Sequence, residues 1–199
     1  MHPDRVFRWD DEPAMLAAAG DLGWARLFAM TPDGPRVAHV AVLVDVARRV
    51  LRFHLANGNA ITAALTGGPV LALFEGPHAY VSASWYRAPE ANVPTWNYVA
   101  IECDGRAIAL GPDALVVLLD DLAEFNEKAV GGDWSMAAMD RRRFDAMLPA
   151  ITAFELPIET MRGTRKLSQN KPEAEVAALA AGVERSGAGE LAALMRGAQ

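Results

Sequence analysis

The feature that most constrains the fold of this chain is a succession of short apolar runs separated by turn residues. The runs are rich in Val, Ile, Leu and aromatic residues, which is typical of β-strands, and Gly, Pro and Asp stand between them. No regular alternation of strand and helix accompanies them, so the pattern predicts six or seven strands in an antiparallel sheet. Closing that sheet into a small barrel would remove its edges. The runs are WARLFAM, RVAHVAVLVD, RVLRFHLA, PVLALFEG, AYVSAS, TWNYVAIECDGRAIAL and AITAFELPIETMRG.

Two of these runs allow sharper predictions. RVAHVAVLVD is apolar at both odd and even positions, which predicts a central strand with both faces covered. In the sixth run Asp104-Gly105 indicates either a two-residue hairpin or a bulge inside one long bent strand. His39 and His54 lie on candidate neighbouring strands and could approach each other. Single structural histidines are commoner than ligands, so we predict no metal site.

Helices are predicted between and after the strands. DDEPAMLAAAGDLG, PDALVVLLDDLAEFNEKAVG and DRRRFDAML have helical patterning. NGNAITAALTGG predicts a short helix capped by Asn57 or Asn59 and stopped by Gly67. The fold class predicted from these elements is mainly β with peripheral helices (α+β).

The only plausible domain boundary lies near residue 171. Residues 172–199 are rich in Ala and predict two short helices broken at Ser186-Gly187, with Asn170 as cap and Pro172 as opening residue. We therefore predict a β domain over residues 1–171 and a helical tail over residues 172–199.

Charge and cysteine content narrow the classes of function. The net charge of −6 argues against broad binding to nucleic acid, although Arg141, Arg142 and Arg143 form a short basic patch. The single cysteine, Cys103, lies in an apolar run, and we expect it to be buried and inert. One thiol cannot form an internal disulfide, and no apolar run approaches the ~20 residues of a membrane span. A cytoplasmic protein is expected.

Residues 76–102 contain all three tyrosines and two of the five tryptophans of the chain, beside short hydrogen-bonding side chains. Core and subunit packing would explain such a concentration, because aromatic residues dominate both. A binding platform would explain it too. Rings offer stacking faces, and Ser, Thr and Asn pair with carbonyls and ring nitrogens. A flavin fits such a platform, and so does a nucleobase.

Two polar stretches accompany the aromatic one. KLSQNKPE, which begins at Lys166, crowds polar side chains directly after an apolar run; a solvated strand end is the alternative reading. FHLANGNAIT reads as a strand, a turn and a helix start. Its backbone N–H groups, with Asn59 and Thr62, could hold a phosphate, and a capped helix is the alternative there.

In this order and spacing, GPHAYVSASWY, VPTWNYVAIE and KLSQNKPEAE resemble the PaiB-type FMN-binding negative transcriptional regulators. The resemblance extends from about Phe7 to Val183. It implies a split β-barrel of the pyridoxamine-phosphate-oxidase type, a homodimer with FMN at the subunit interface, and negative regulation of transcription.

The resemblance also implies a set of cofactor-binding residues. In RFHLANGN, Asn57 stands where the family usually has Arg, and Ala60 where it has Pro. Lys166, Gln169 and Asn170 are expected to reach the flavin ring or its ribityl chain, and Asn59 and Thr62 the phosphate. The full set is His54, Ala56, Asn57, Asn59, Thr62, Trp85, Tyr86, Thr95, Trp96, Asn97, Lys166, Gln169 and Asn170.

Three functions are consistent with these motifs. The first is an FMN-binding dimer that senses flavin or redox state and acts in regulation. The second is an oxidoreductase that uses the same flavin on a small substrate, by analogy with relatives of the same fold. The third is a dimer without cofactor. The acidic chain has no helix-turn-helix signature, which argues against direct contact with DNA.

Overall fold

The computed structural model of the protein describes residues 2–198, and it is mainly β with peripheral helices, as predicted. Nine strands and six α-helices lie within the described residues. The strands are β1 (Arg8–Trp9), β2 (Trp24–Thr31), β3 (Gly34–Ala41), β4 (Leu43–Asp45), β5 (Val50–Ala56), β6 (Pro69–Val81), β7 (Thr95–Arg106), β8 (Ile108–Ala109) and β9 (Ile151–Lys166). The helices are α1 (Glu12–Leu22), α2 (Thr62–Leu65), α3 (Pro112–Val130), α4 (Arg141–Met147), α5 (Glu173–Arg185) and α6 (Gly189–Arg196).

The strand order explains how the sheet closes. Hydrogen-bonded neighbours follow the order β3-β2-β6-β7-β9-β5-β4, and β1 and β8 pair with β9 beside this path. The two ends of the order, β3 and β4, are consecutive in the chain with only Val42 between them, and the Val42 N–H donates to the carbonyl of Gly23 at 2.9 Å. The fold is the split β-barrel that the resemblance implied.

The chain divides into two compact units, and the long strands β6, β7 and β9 contribute residues to both. Unit 1 comprises the residues up to Glu12, residues 75–101 and the residues from Arg162 onward; unit 2 comprises residues 13–74 and 102–161. This division does not test the predicted boundary near residue 171, which stays a prediction.

Each unit has its own apolar core. In unit 1 the side chains of α5 and α6 pack with residues of β6, β7 and the loop between them. That core consists of Val81, Tyr86, Val99, Leu167, Val176, Leu179, Ala180, Val183, Leu191, Ala192 and Met195. In unit 2, Leu115, Leu118 and Leu122 line one stripe of α3 and pack on Ala153, which matches the predicted helical periodicity. Cys103 is buried on β7, as expected.

The prediction of a central strand over RVAHVAVLVD is wrong. The run is divided at Val42 into β3 and β4, and these strands stand at opposite ends of the strand order. On β3, Ala38 and Val40 are buried, whereas Val37 is 44% exposed. A run with apolar residues on both faces can therefore form an edge strand when one apolar face remains uncovered.

Two predicted strands, PVLALFEG and AYVSAS, form the single strand β6. Gly76 does not end it, because the absent side chain lets the backbone pass close to Val99: a Cβ there would lie 3.1 Å from the Val99 Cβ. Asp104-Gly105 likewise lies within β7, so the long-strand alternative is correct. A Cβ on Gly105 would lie 2.2 Å from the carbonyl oxygen of Pro157.

The helices lie where the patterns predict them, with two differences at their starts. Helix α2 is a single turn whose N-cap position is Ile61, and α5 is preceded at its N-cap by Pro172 rather than by Asn170. Neither cap residue makes a side-chain hydrogen bond to its helix. No helix within the described residues is long and apolar enough to span a membrane.

Candidate functional site

A polar cavity with aromatic walls lies in unit 1, at the start of β7 and the end of β9. Its volume is about 320 Å³, at the lower end of the range of about 300–1,000 Å³ that is usual for small-molecule sites. Two lysines are the only charged residues among those that line it. The lining residues are Phe7, Tyr86, Ala91, Asn92, Val93, Thr95, Asn97, Lys166, Ser168, Asn170 and Lys171. We call this space the lysine cavity.

Strand β7 divides its side chains between the lysine cavity and the opposite face. Thr95 and Asn97 line the cavity, and because successive side chains of a strand point to opposite faces, Trp96 and Tyr98 face away from it. The burial agrees with this alternation, since Asn97 is fully buried and Trp96 is 48% exposed. The structure therefore separates Trp96 from its sequence neighbours Thr95 and Asn97, with which it was predicted to bind the cofactor.

Lys166 brings a positive charge to the cavity. Its Nζ donates a hydrogen bond to Thr95 Oγ1 at 2.5 Å and lies 5.9 Å from the centre of the Phe7 ring. Burial lowers the pKa of the Lys166 ammonium below its usual value. An anionic or carbonyl-bearing ligand would stabilise the charged form of this lysine by replacing lost hydration.

Lys171 supplies the second charge from the turn that follows β9. Its Nζ donates to Asn92 Oδ1 at 3.1 Å and lies 5.3 Å from the centre of the Tyr86 ring, a cation–π contact. Burial, followed by the nearby carboxylate of Glu175, raises the pKa of the Tyr86 hydroxyl. Tyr86 therefore stays neutral and can donate a hydrogen bond near neutral pH.

Asn97 lines the lysine cavity and carries a buried acceptor without a hydrogen-bond partner. Its Nδ2 donates to Ser168 Oγ at 2.9 Å and contacts Met195 Sδ at 3.6 Å. Its Oδ1 is buried and has no hydrogen-bond partner. An unpaired buried carbonyl costs about 1–3 kcal/mol, and such groups in native structures call for an explanation.

Ser168 holds the turn in an uncommon backbone conformation. It is 5% exposed and has a φ of 64°, in the left-handed region that side chains other than glycine rarely adopt. Its carbonyl accepts from the Lys171 N–H at 2.9 Å. The turn thereby carries Ser168, Asn170 and Lys171 to the same cavity, and strained residues of this kind are frequent at functional sites.

Gln169 and Trp85 have structural contacts instead of lining the cavity. The Gln169 side chain accepts from the Leu167 N–H at 2.8 Å and donates to the carbonyls of Arg165 at 2.6 Å and Val6 at 3.0 Å. Trp85 packs on α5, where a Cβ on Gly182 would lie 2.4 Å from the indole ring. Both residues fix segments from which cavity residues project.

On the outer face of unit 1 the remaining aromatic residues form an exposed cluster. The rings of His78 and Trp96 lie 6.0 Å apart and nearly parallel, and Tyr80 lies 6.2 Å from Trp96. Tyr80 is 49% exposed. The expected aromatic platform is thus divided between this cluster and Tyr86 in the lysine cavity.

The residues predicted near the phosphate lie in unit 2, in the turn after β5. Thr62 Oγ1 donates to the carbonyl of Ala56 at 2.7 Å, and Asn59 Oδ1 accepts from the Ile61 N–H at 3.2 Å. Asn57 Nδ2 donates to the carbonyl of Pro149 at 2.8 Å. These side chains are engaged in holding the turn itself.

The two histidines expected on neighbouring strands are not on neighbours. His39 on β3 lies opposite Arg26 of β2, and His54 on β5 lies opposite Ala153 of β9. Burial lowers the pKa of the His54 imidazole, whose Nδ1 has no hydrogen-bond partner. Within the described residues no group of His, Cys, Asp and Glu could hold a metal ion.

Six residues that line the lysine cavity are not among the candidates predicted from the sequence: Phe7, Ala91, Asn92, Val93, Ser168 and Lys171. Ser168 and Lys171 belong to the polar stretch KLSQNKPE, so their spacing from Lys166 could have identified them. Nothing in the sequence around Phe7 or Asn92 signals a site. The hydrogen bond from Gln169 to Val6 and the contact between Lys171 and Asn92 bring their segments there.

Together these groups offer hydrogen-bond donors from two ammonium groups and the rings of Phe7 and Tyr86. A planar heterocycle with carbonyls on its edge has the complementary pattern: its carbonyls would meet the cations and its faces the rings.

Comparison with known proteins bears on the identity of that ligand. Residues 1–160 match the family model FMN_bind_2, described as "Putative FMN-binding domain". The chain is 37% identical over 106 residues to the protease synthase and sporulation protein PAI 2 of Bacillus subtilis. The matched region covers 53% of this chain and 50% of that relative, so the chain spans about half the length of the relative.

Solved structures share the fold at low identity. The flavocytochrome Anf3 of Azotobacter vinelandii matches with a TM-score of 0.62 and 16% identity, covering 82% of this chain and 72% of that one. The FAD and heme binding protein of Mycobacterium smegmatis matches with a TM-score of 0.60 and 15% identity, covering 80% of this chain and 73% of that one. At these identities the likeness concerns the fold.

Proposed function

The chain belongs to the PaiB-type FMN-binding domain family, and we propose that it is a flavoprotein that binds FMN with the polar edge of the ring in the lysine cavity. The observation that carries this proposal is the pair of ammonium groups, on Lys166 and Lys171, beside the rings of Phe7 and Tyr86 in the lysine cavity. The isoalloxazine ring carries two carbonyls on its polar edge and has aromatic faces, which is the pattern complementary to these groups.

The residues present fit the flavin ring in chemistry. Lys166 and Lys171 would donate to the carbonyls of the ring. Tyr86 and Phe7 would exclude water from the faces and sides of the ring. A bound flavin would supply one- and two-electron redox chemistry, and the protein would supply orientation and charge.

The test is a titration of purified protein with FMN, followed by the visible absorption of the flavin and by quenching of its fluorescence. Wild-type protein is expected to bind FMN. Lys166→Met is expected to weaken binding about tenfold or more, because the loss of a charged hydrogen bond costs about 1.5–3 kcal/mol. Lys128→Met, which removes an exposed positive charge in unit 2, is the matched control and should leave binding unchanged. Wild-type protein that takes up no FMN would contradict the proposal.

We also propose that the protein acts in negative regulation of transcription, as the PaiB-type resemblance implies, and that it does so without binding DNA directly. The absence of direct DNA binding is supported by the net charge of −6 and by the small size of the basic helix α4, where Arg141 is paired with Asp145 at 2.9 Å. A cytoplasmic location accords with this role. A gel-shift titration at low salt is expected to show no complex with DNA taken from upstream of the chain's own gene; a salt-sensitive complex would overturn the indirect route.

We further propose that the protein is a homodimer. Strands β2 and β3 of unit 2 present an uncovered apolar face, on which Trp24 is 53% exposed, Phe28 36%, Met30 65% and Val37 44%. Phe28 lies directly opposite Val37 in the register and Met30 follows on the same face of β2, so these three side chains form one contiguous strip. Arg26 and His39 lie between them and Trp24. A contiguous exposed apolar strip on a sheet of this kind is typical of a surface that another protein covers, and a second copy offers a self-complementary match.

The oligomeric state tests this surface. Light scattering coupled to size exclusion is expected to give twice the chain mass of 21.4 kDa for the wild type and one chain mass for Phe28→Glu. Val117→Glu changes an exposed residue on α3, which is 54% exposed, and serves as the control that should stay dimeric. A wild-type monomer at micromolar concentration would refute the proposed dimer.

A further inference from the structure

We propose that Lys166 is a covalent capture site for small aldehydes that carry a carboxylate. The Lys166 Nζ forms a reversible imine with the aldehyde carbon, and the ammonium group of Lys171 holds the carboxylate. This inference goes beyond flavin binding, because it assigns a second class of ligand to the lysine cavity. Only the competition between this ligand and a flavin rests on the proposed function.

The few lysines of the chain are unevenly distributed. Only three of its 19 Lys and Arg residues are lysines, and two of these three line the lysine cavity. Arginine carries the other positive side chains, and its guanidinium group stays protonated and is no nucleophile in proteins. The third lysine, Lys128, is exposed on α3 in unit 2. Two primary amines in one cavity of so lysine-poor a chain indicate a role for the amine itself and not for positive charge alone.

Lys166 is the amine of the pair that is suited to act as the nucleophile. It is half-buried, and its Nζ contacts the Thr95 hydroxyl and the Phe7 ring. No carboxylate is among the described residues that line the cavity, so none there holds its proton. Burial lowers the pKa of the Lys166 ammonium, and a larger share of this side chain is therefore the neutral amine than in an exposed lysine. Lysines in such surroundings are the ones that form Schiff bases in proteins.

Lys171 has contacts that suit the cation of the pair. Its Nζ donates to Asn92 Oδ1 at 3.1 Å and lies 5.3 Å from the centre of the Tyr86 ring. A carbonyl oxygen and the face of a tyrosine ring both stabilise an ammonium group. The cavity thus offers a nucleophilic amine and a cation together, and a compound with an aldehyde beside a carboxylate matches both.

The reaction needs no oxidant or reductant. The lone pair of the neutral Lys166 Nζ attacks the aldehyde carbon, and a C–N bond forms as the carbonyl double bond opens. The carbonyl oxygen then leaves as water with the two protons that the nitrogen releases, and the C=N bond of the imine remains. Hydrolysis reverses these steps. The imine and the carbonyl of a bound flavin would use the same nitrogen, so the two ligands exclude each other.

Reductive trapping tests the inference on the wild-type chain. Glyoxylate is added with cyanoborohydride, which reduces the imine to a stable amine, and each lysine peptide is quantified by mass spectrometry. Lys166 is expected to be labelled at least about tenfold faster than Lys128, because one charged hydrogen bond to the probe corresponds to about tenfold or more. In urea, where the chain is unfolded, both should be labelled at similar rates. Equal rates in the folded protein would overturn the inference.

A variant tests the role of Lys171. Lys171→Met is expected to slow the labelling of Lys166 by glyoxylate about tenfold or more. Acetaldehyde has no carboxylate, so its reaction with Lys166 should be unchanged in this variant. An equal effect on both aldehydes would overturn the assignment of Lys171 as the partner of the carboxylate.

Protection by FMN separates this inference from the proposed function. Saturating FMN is expected to protect Lys166 from glyoxylate and to leave the labelling of Lys128 unchanged. If Lys166 is labelled selectively but FMN gives no protection, the inference stands and the place of the flavin in the lysine cavity is refuted. If FMN binds and Lys166 shows no preference, the inference alone is overturned.

Discussion

Gly182 lies on α5 directly against the indole ring of Trp85, and replacing it with alanine is expected to destabilise the protein. A Cβ at this position would lie 2.4 Å from one ring carbon and 2.7 Å from two others. Distances below 3.0 Å cannot persist, so the Trp85 ring must shift. Trp85 immediately precedes Tyr86, so the shift would be transmitted to a wall of the lysine cavity.

Two opposing effects set the magnitude. Alanine in place of glycine inside a helix gains up to about 1 kcal/mol. Overpacking costs about 1–3 kcal/mol, and the half-buried Trp85 ring can relieve part of that strain by moving. We expect Gly182→Ala to lower the free energy of unfolding by roughly 1 kcal/mol. Gly189→Ala is the matched control on α6, where a Cβ would meet no atom within 4 Å. It is expected to gain about 0.5 kcal/mol.

The free energy of unfolding of both variants is measured by urea denaturation and their melting temperatures by calorimetry. The difference of about 1.5 kcal/mol between them corresponds to about 3–6 °C for a chain of this size. Gly182→Ala should also weaken flavin binding, whereas Gly189→Ala should not. If Gly182→Ala stabilises the protein as much as Gly189→Ala, the close packing of Trp85 on α5 is refuted.

Two further predictions follow from buried groups in unit 2. Gly105→Ala is expected to lower the free energy of unfolding by more than about 3 kcal/mol, because its Cβ would lie 2.2 Å from the backbone oxygen of Pro157. Gly58→Ala, whose Cβ would meet no atom within 4 Å, is the control. Equal stabilities of the two variants in urea would contradict the close approach of Gly105 to Pro157. Because burial lowers the pKa of His54, the folded state binds its proton less readily than the unfolded state. Stability should therefore fall as the pH drops below about 6.5, with a slope of up to about 1.4 kcal/mol per pH unit. The same titration of His54→Gln should show a smaller slope, and an unchanged slope would exclude His54 as its source.

Much of the fold could be predicted because local patterns agree with the final structure. The stripe of Leu115, Leu118 and Leu122 predicts α3, and its start at Pro112 follows from the tolerance of proline in a first helical turn. The errors arise where tertiary contacts decide. Gly76 reads as a turn signal in the sequence, but in the structure it permits close passage beside Val99 within one strand.

The candidate site was less predictable, because residues that are close in the sequence do not always lie on the same face of a strand. Thr95, Trp96 and Asn97 are consecutive, yet the alternation of a strand sends Trp96 to the opposite side. That alternation could have been applied to the sequence. The approach of Phe7 and Asn92 to the cavity could not have been predicted from the sequence, because it depends on long-range hydrogen bonds to the turn after β9 that no local pattern indicates.

The hydrogen bond from the Gln169 amide to the carbonyl of Val6 ties the N-terminal turn to the turn after β9. Phe7, the next residue, forms a wall of the lysine cavity. Affinity tags or nicks near the front of the chain are therefore expected to loosen a binding pocket whose two lysines come some 160 positions later. Recombinant protein for the flavin titrations is best prepared with its tag at the other end.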